Sequence, residues 1–273
     1  MVMKRSLLLA LVTLAIWSSA LNAEEVPVRH TEGIVHGFLV LRTLEGKTLA
    51  EGDLTETADG ETMTNHLVFH FKDGSLHDET VVFSQRRNFR LLKDHLVQKG
   101  PSFHHAVDVS IDVSKSDVTV RYDDDDGKEK VITDHLEMPV DVANGMVFTL
   151  LKNIGPDTTE TKVSMVAVTP KPRLVKLAIT PGGEEAFSTV HSPRKAIRFD
   201  VNVEIGGLTG WFAHLLGKQP PTTHVWILRS EIPAFVKSEG PLFMGGPIWR
   251  IELATPVWPK TASTDIKGQD EKQ

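Results

Sequence analysis

HLVFHFKDGSLHDET, residues 66–80, decides how this chain folds. Read as a helix, His66 and His70 stand one turn apart and form a zinc-binding pair. Read as a strand, Leu67, Phe69 and Phe71 share one face, while His66, Val68 and His70 share the other. The alternation favours the strand. Four residues along a strand span about 13 Å, too far for one ion. Asp73-Gly74 then turns the chain into a second strand, so the stretch is a hairpin. A two-residue loop sets His70 opposite His77 with Glu79 on the same face, which makes His70, His77 and Glu79 weak candidates for a metal. A three-residue loop with a bulge separates the two histidines. The plainer reading is a wet hairpin face, and no metal or other cofactor is expected.

Outward from this hairpin the same period continues. Val107, Val109, Ile111 and Val113 alternate with Asp108, Ser110 and Asp112. Ile197, Phe199, Val201, Val203 and Ile205 alternate with Arg198, Asp200, Asn202 and Glu204, and Trp249, Ile251 and Leu253 with Arg250 and Glu252. One apolar face and one wet face is the mark of an antiparallel sheet. Glu45-Gly46, Asp59-Gly60, Asp126-Gly127 and Gly182-Gly183 are turn signals, and roughly twelve to fourteen strands follow. Two helices are predicted. One, of about 12 residues, runs over 141–154, capped by Asp141, with Val142, Met146, Leu150 and Ile154 at four-residue spacing and Gly155-Pro156 as its stop. The other is short and follows Thr209. So little helix leaves most of the sheet's apolar face uncovered, and the sheet must shelter itself. The expected fold is all-β dominated: a curved antiparallel sheet, half-barrel or barrel-like.

The first 23 residues read as a cleavable signal peptide: Lys4 and Arg5, an apolar run from Leu7 to Trp17, and Ala23 before two glutamates. This predicts a periplasmic or secreted protein. The chain has no cysteine, which excludes disulfides and thiolate chemistry. Without Lys4 and Arg5 the 36 acidic residues leave a net charge of about −8, which argues against nucleic acid as a partner. No transmembrane helix is expected in the mature form. Residues 24–259 read as a single β-rich domain, with a sub-boundary near 180 left open, and 260–273 as a disordered polar tail.

No nucleophile elbow, phosphate loop or zinc-protease helix is present, and no catalytic residue is assigned. Residues 122–133 fail as a calcium loop, because Tyr122 and Thr133 stand where acidic ligands are needed. Four tryptophans remain after processing. They are either core, or Trp211, Phe212, Trp226 and Trp249 line an apolar ligand pocket.

GIVHGFLVL (33–41), FKDGSLHDETVVF (71–83) and MPVDVANGMVFTLL (138–151) resemble the pattern of a family of uncharacterised exported bacterial β-rich proteins. That family is similar in expected fold to the lipoprotein-carrier half-barrels of Gram-negative envelopes. The resemblance covers roughly residues 30–180. It implies a helix seated as a lid or plug against the curved sheet, and transfers no activity. A curled sheet of many strands encloses more apolar volume than its side chains fill, so the expected function is non-catalytic binding or carriage of a lipid or acyl chain. The alternatives are a structural or partner-binding envelope protein, and an exported hydrolase or metal-dependent enzyme.

Overall fold

The computed structural model describes residues 25–124, 126–168, 171–188, 193–204 and 220–254. Fourteen strands form one antiparallel sheet. They are β1 (Val35–Thr43), β2 (Thr48–Asp59), β3 (Thr62–Phe71), β4 (Leu76–Arg86), β5 (Asn88–Lys99), β6 (Val107–Asp112) and β7 (Asp117–Asp123), then β8 (Glu129–His135), β9 (Thr161–Ala167), β10 (Arg173–Ser188), β11 (Pro193–Glu204), β12 (Thr223–Leu228), β13 (Ala234–Pro241) and β14 (Ile248–Leu253). The spatial order runs from β8 back to β1, then β14 back to β9. Two hairpin meanders are thus joined side by side through the β1–β14 pair, where Leu41 faces Ile251. The outermost strands, β8 and β9, do not pair with each other, so the curved sheet stays open.

Alternation on each strand sets an inner face against the core. Met63 of β3, Val81 and Phe83 of β4, and Val109 and Ile111 of β6 pack in one cluster with Leu177 and Ile179 of β10 and Phe199 of β11. Strands far apart in the sheet share this cluster because the sheet curls and the connection from β8 to β9 fills the space between. Val142, Ala143, Met146, Leu150, Leu151 and Ile154 of that connection all belong to the same core. A second cluster gathers Leu39, Leu41, Phe69, Phe71, Phe103 and Trp249 around the β1–β14 seam.

The predicted 141–154 helix is much shorter than expected. Only Val147–Leu151, here α1, is helical. Asp141 does not cap it; its carboxylate accepts from Ser164 at 2.8 Å and Lys176 at 2.7 Å. Asn144 instead bonds the backbone of Val166 in both directions, at 3.0 and 2.8 Å. Gly145 has φ +64°, a left-handed conformation that breaks the helical run. Residues 141–146 thus follow β9 rather than winding, and the four-residue apolar spacing is met by a plug with one helical turn. The second predicted helix, the leader 1–23 and the tail 260–273 lie outside the described residues. Among the described residues no helix is long and apolar enough to cross a membrane.

Candidate functional site

The opening hairpin settles the histidine question through its loop. Phe71 N–H donates to the Ser75 carbonyl at 2.9 Å, and Gly74 N–H to the Phe71 carbonyl at 3.1 Å. The loop is therefore three residues, Lys72 to Gly74, with Gly74 at φ +86°. This register pairs Phe69 with His77 and His70 with Leu76. A one-residue change of register moves every side chain to the other face. His70 points outward and is exposed, while His77 points inward and is buried. The group of His70, His77 and Glu79 is thus not assembled, and among the described residues no cluster of three His, Asp or Glu side chains is placed to hold a metal. The other outward histidines pair with aspartates of neighbouring strands: His66 with Asp78 at 2.9 Å, His95 with Asp108 at 3.0 Å, and His36 with Asp53 at 3.2 Å.

His77 and Glu79 do remain neighbours, on the inner face of β4. There they meet Asp94, which a bulge delivers. Val82 pairs with Lys93 but Phe83 with Leu91, so Leu92 is the extra residue of β5. Without it, strict alternation from Phe89 and Leu91 would turn Lys93, His95 and Val97 inward. With it, Asp94, Leu96 and Gln98 face the core.

The resulting cluster has few partners of its own. Gln98 Nε2 donates to the Leu242 carbonyl at 3.1 Å and to His77 Nδ1 at 3.0 Å. An amide nitrogen only donates, so His77 Nδ1 accepts and Nε2 carries the ring proton. That Nε2 stands 3.9 Å from Glu79 Oε2, beyond hydrogen-bond reach. Burial pushes the His77 imidazole down to about 4, against the opposing pull of Asp78, so the ring is neutral. Burial pushes the Glu79 carboxyl up to about 7. It also raises Asp94 well above the usual carboxylate range, and the charge of Glu79 adds to the effect. Asp94 Oδ1 and Asn65 Oδ1 are buried acceptors without a donor. Glu56, buried on β2, is raised by desolvation as well, partly offset by Lys152. Lys152 itself is held by Glu32 at 2.6 Å.

Glu79 is desolvated, yet 20% of its side-chain surface is still open. The register explains how. Gly37 of β1 pairs with Leu54 of β2, Leu54 with Leu67 of β3, and Leu67 with Glu79 of β4. These four stand in one row across the inner face, and all are half-buried. The flanking rows hold the buried Leu39, Phe69 and His77 on one side and Glu56, Val81 and Asp94 on the other. At the β1 end of the row, Val35 and Leu253 are 41% and 54% exposed although both lie on the inner face. Phe235 of β13 packs against both core clusters and stacks on Phe148 of α1, with ring centroids 4.8 Å apart. The arrangement is a shallow apolar lane, about 14 Å across three strand spacings, with Glu79 at its inner end. Over that end sits the plug: a Cβ on Gly145 would lie 2.2 Å from Val81 Cγ2 and 3.2 Å from Glu79 Oε1.

Of the four aromatic candidates, Trp226 and Trp249 are not brought together. Trp249 is on the inner face, 5.6 Å from Phe71 and 6.0 Å from Phe243 by ring centroids. Trp226 is on the outer face with Ala196 and Val236. There its Nε1–H donates to Glu185 at 2.7 Å and Lys237 Nζ lies 3.9 Å above its ring. Trp211 and Phe212 lie outside the described residues. Sequence reasoning missed Asp94 and the lane. The adjacent Leu91 and Leu92 before Lys93 were the available signal for the bulge, since two neighbouring leucines break a period of two.

No family model matches this chain, and no curated protein matches it. Among solved structures, it is similar to the crystal structure of a β-barrel-like protein of the domain of unknown function DUF1849 from Brucella abortus, with 9% sequence identity and a TM-score of 0.45. That match covers 84% of this chain and 100% of the other.

Proposed function

We propose that this is an exported, non-catalytic protein that binds an apolar small molecule, a lipid or acyl chain, on the inner face of its curved sheet. One observation carries the reading: the half-buried row Gly37, Leu54 and Leu67 leaves apolar inner surface open between two buried rows. Core positions left open by the described residues are the ordinary mark of a ligand surface. Glycine at 37 removes a side chain where the chain of a ligand would enter. The export part of the proposal rests on the leader-like residues 1–23.

The structural alternative draws on a different region. Beneath the plug, the space bounded by Val26, Phe89, Met146 and Val163 is about 10 Å³, room for about one water. A ligand therefore has no place there without moving the plug. The test is native mass spectrometry of the full chain, with decanol added to ligand-stripped protein. Expected are acyl-chain adducts on purification and uptake of one decanol, lost in Leu67→Arg. A spectrum of bare protein that takes up no decanol would reject ligand binding in favour of the structural reading.

A further inference from the structure

We propose that the ligand carries a cationic nitrogen, such as the ammonium of an alkylamine or aminolipid, that docks on Glu79, Asp94 and Asn65 at the inner end of the lane. The proposal rests on the apolar-ligand reading above and names the head group of the molecule.

The groups facing this point are nearly all acceptors. Glu79 comes from β4, Asp94 from β5, Asn65 from β3 and Glu56 from β2. Asp94 is 4% exposed, and its Oδ1 has no donor; neither has Asn65 Oδ1. Asn65 and Asp94 both pair with Val81, on either side of β4, so they flank the lane's end symmetrically. An ammonium has three N–H donors, and three acceptors are offered by Glu79, Asp94 and Asn65. His77, whose neutral ring lies 3.9 Å from Glu79, brings no competing charge to this point. From the plug, the facing groups are the Gly145 backbone and, beyond Glu56, the Lys152–Glu32 pair. Lys152 is committed to Glu32, so no described cation answers Glu79 or Asp94.

The same inventory disfavours other heads. A carboxylate or phosphate would bury its charge with no cation among the described residues to answer it. Among the described residues no three His, Asp or Glu side chains are placed to hold a metal. A neutral hydroxyl satisfies one acceptor and leaves the others unmet. An ammonium also converts the protonated carboxyls to their ionised forms, so its binding releases a proton to the solvent near neutral pH.

The experiment compares decylamine, decanol and decanoate, all below their micellar concentrations, by calorimetry on the full chain at pH 7. Expected is amine binding at least about tenfold tighter than the alcohol. Decanoate should be the weakest of the three, and the amine enthalpy should vary with buffer ionisation enthalpy through proton release. The double variant Glu79→Gln/Asp94→Asn should lose the amine's advantage while still binding decanol, which also shows that it folds. An amine no tighter than the alcohol, or an advantage that survives in the double variant, overturns the head-group assignment and leaves the apolar site standing. Binding of none of the three overturns both.

Discussion

The buried acids on the inner side of this sheet are treated in two opposite ways. The Asp141 side chain is fully buried, and Lys176 answers it at 2.7 Å while Ser164 supplies a second donor at 2.8 Å. Glu79 and Asp94 lie under the same plug, yet no described Lys or Arg reaches either, and an oxygen of Asp94 has no donor at all. Asp141 ties the plug to β9 and β10, so its partners are part of the fold. Glu79 and Asp94 cost folding energy at neutral pH and return nothing visible to the fold. The contrast teaches where the chain stabilises itself and where it keeps chemistry in reserve.

Breaking the first arrangement should have the largest effect. Lys176→Met leaves the Asp141 carboxylate buried without a cation, and a loss of about 3–5 kcal/mol is expected. Urea unfolding at pH 7 checks it, and rescue by the second change Asp141→Asn would identify the unpaired charge as the cause. Next is Gly145→Ala. The new Cβ would meet Val81 within 2.2 Å, at a residue with φ +64°. Overpacking and left-handed strain together should cost about 2–4 kcal/mol. Val81→Ala in the same chain should recover the packing part.

The second arrangement predicts a change of opposite sign. In the folded chain the Glu79 carboxyl titrates at about 7, above its ordinary 4.5, and Asp94 is raised too. The native state therefore holds protons that the unfolded chain has released. Stability contributed by Glu79 is full below about pH 4.5, falls as the pH rises toward 7, and is gone above it; that of Asp94 is likewise lost as the pH rises through its raised range. Glu79→Gln with Asp94→Asn should flatten that decline and stabilise the protein at pH 8 by about 2–3 kcal/mol, with little change at pH 4. Unfolding curves at both pH values decide it. A double variant less stable at pH 8 would mean that these acids are structural after all.

How much of this was open to sequence reading depends on which interactions set each feature. The antiparallel sheet was legible in stretches such as Ile197 to Val203, because burial of one face imposes a period of two on any such strand. The neighbour order from β1 to β8 follows from the short turns. The pairing of β1 with β14 does not, since nothing local in Leu41 or Ile251 names a partner more than two hundred residues away. The His70–His77 register failed on one loop residue. Asp73-Gly74 suits both a two-residue and a three-residue turn, and the two put His77 on opposite faces. The plug was misread for a similar reason. Val142, Met146 and Leu150 have helical spacing, but Asn144 and Asp141 find better partners on β9 and β10, and Gly145 then takes the conformation that lets them. Asp94 depended on a bulge that only the packed sheet reveals. The candidate site thus lies where local pattern and tertiary structure disagree.

The smallest expected effect tests the outer face against the inner one. His66 and Asp78 stand 2.9 Å apart, much closer than His77 and Glu79, but their side chains are 46% and 38% exposed. Water solvates both partners, so the pair adds little beyond what each already has. His66→Gln should change stability by less than about 0.5 kcal/mol. His77→Gln, two strand positions from the lane's end and buried, removes a ring that packs 6.0 Å from Phe69 and receives Gln98. It should cost at least about 1 kcal/mol through lost packing and an unmet Gln98 donor. Thermal melts of the two variants side by side measure the difference. Equal losses would mean that the outward histidine–aspartate pairs do more than decorate a wet face, and that burial is not what separates the two kinds of histidine.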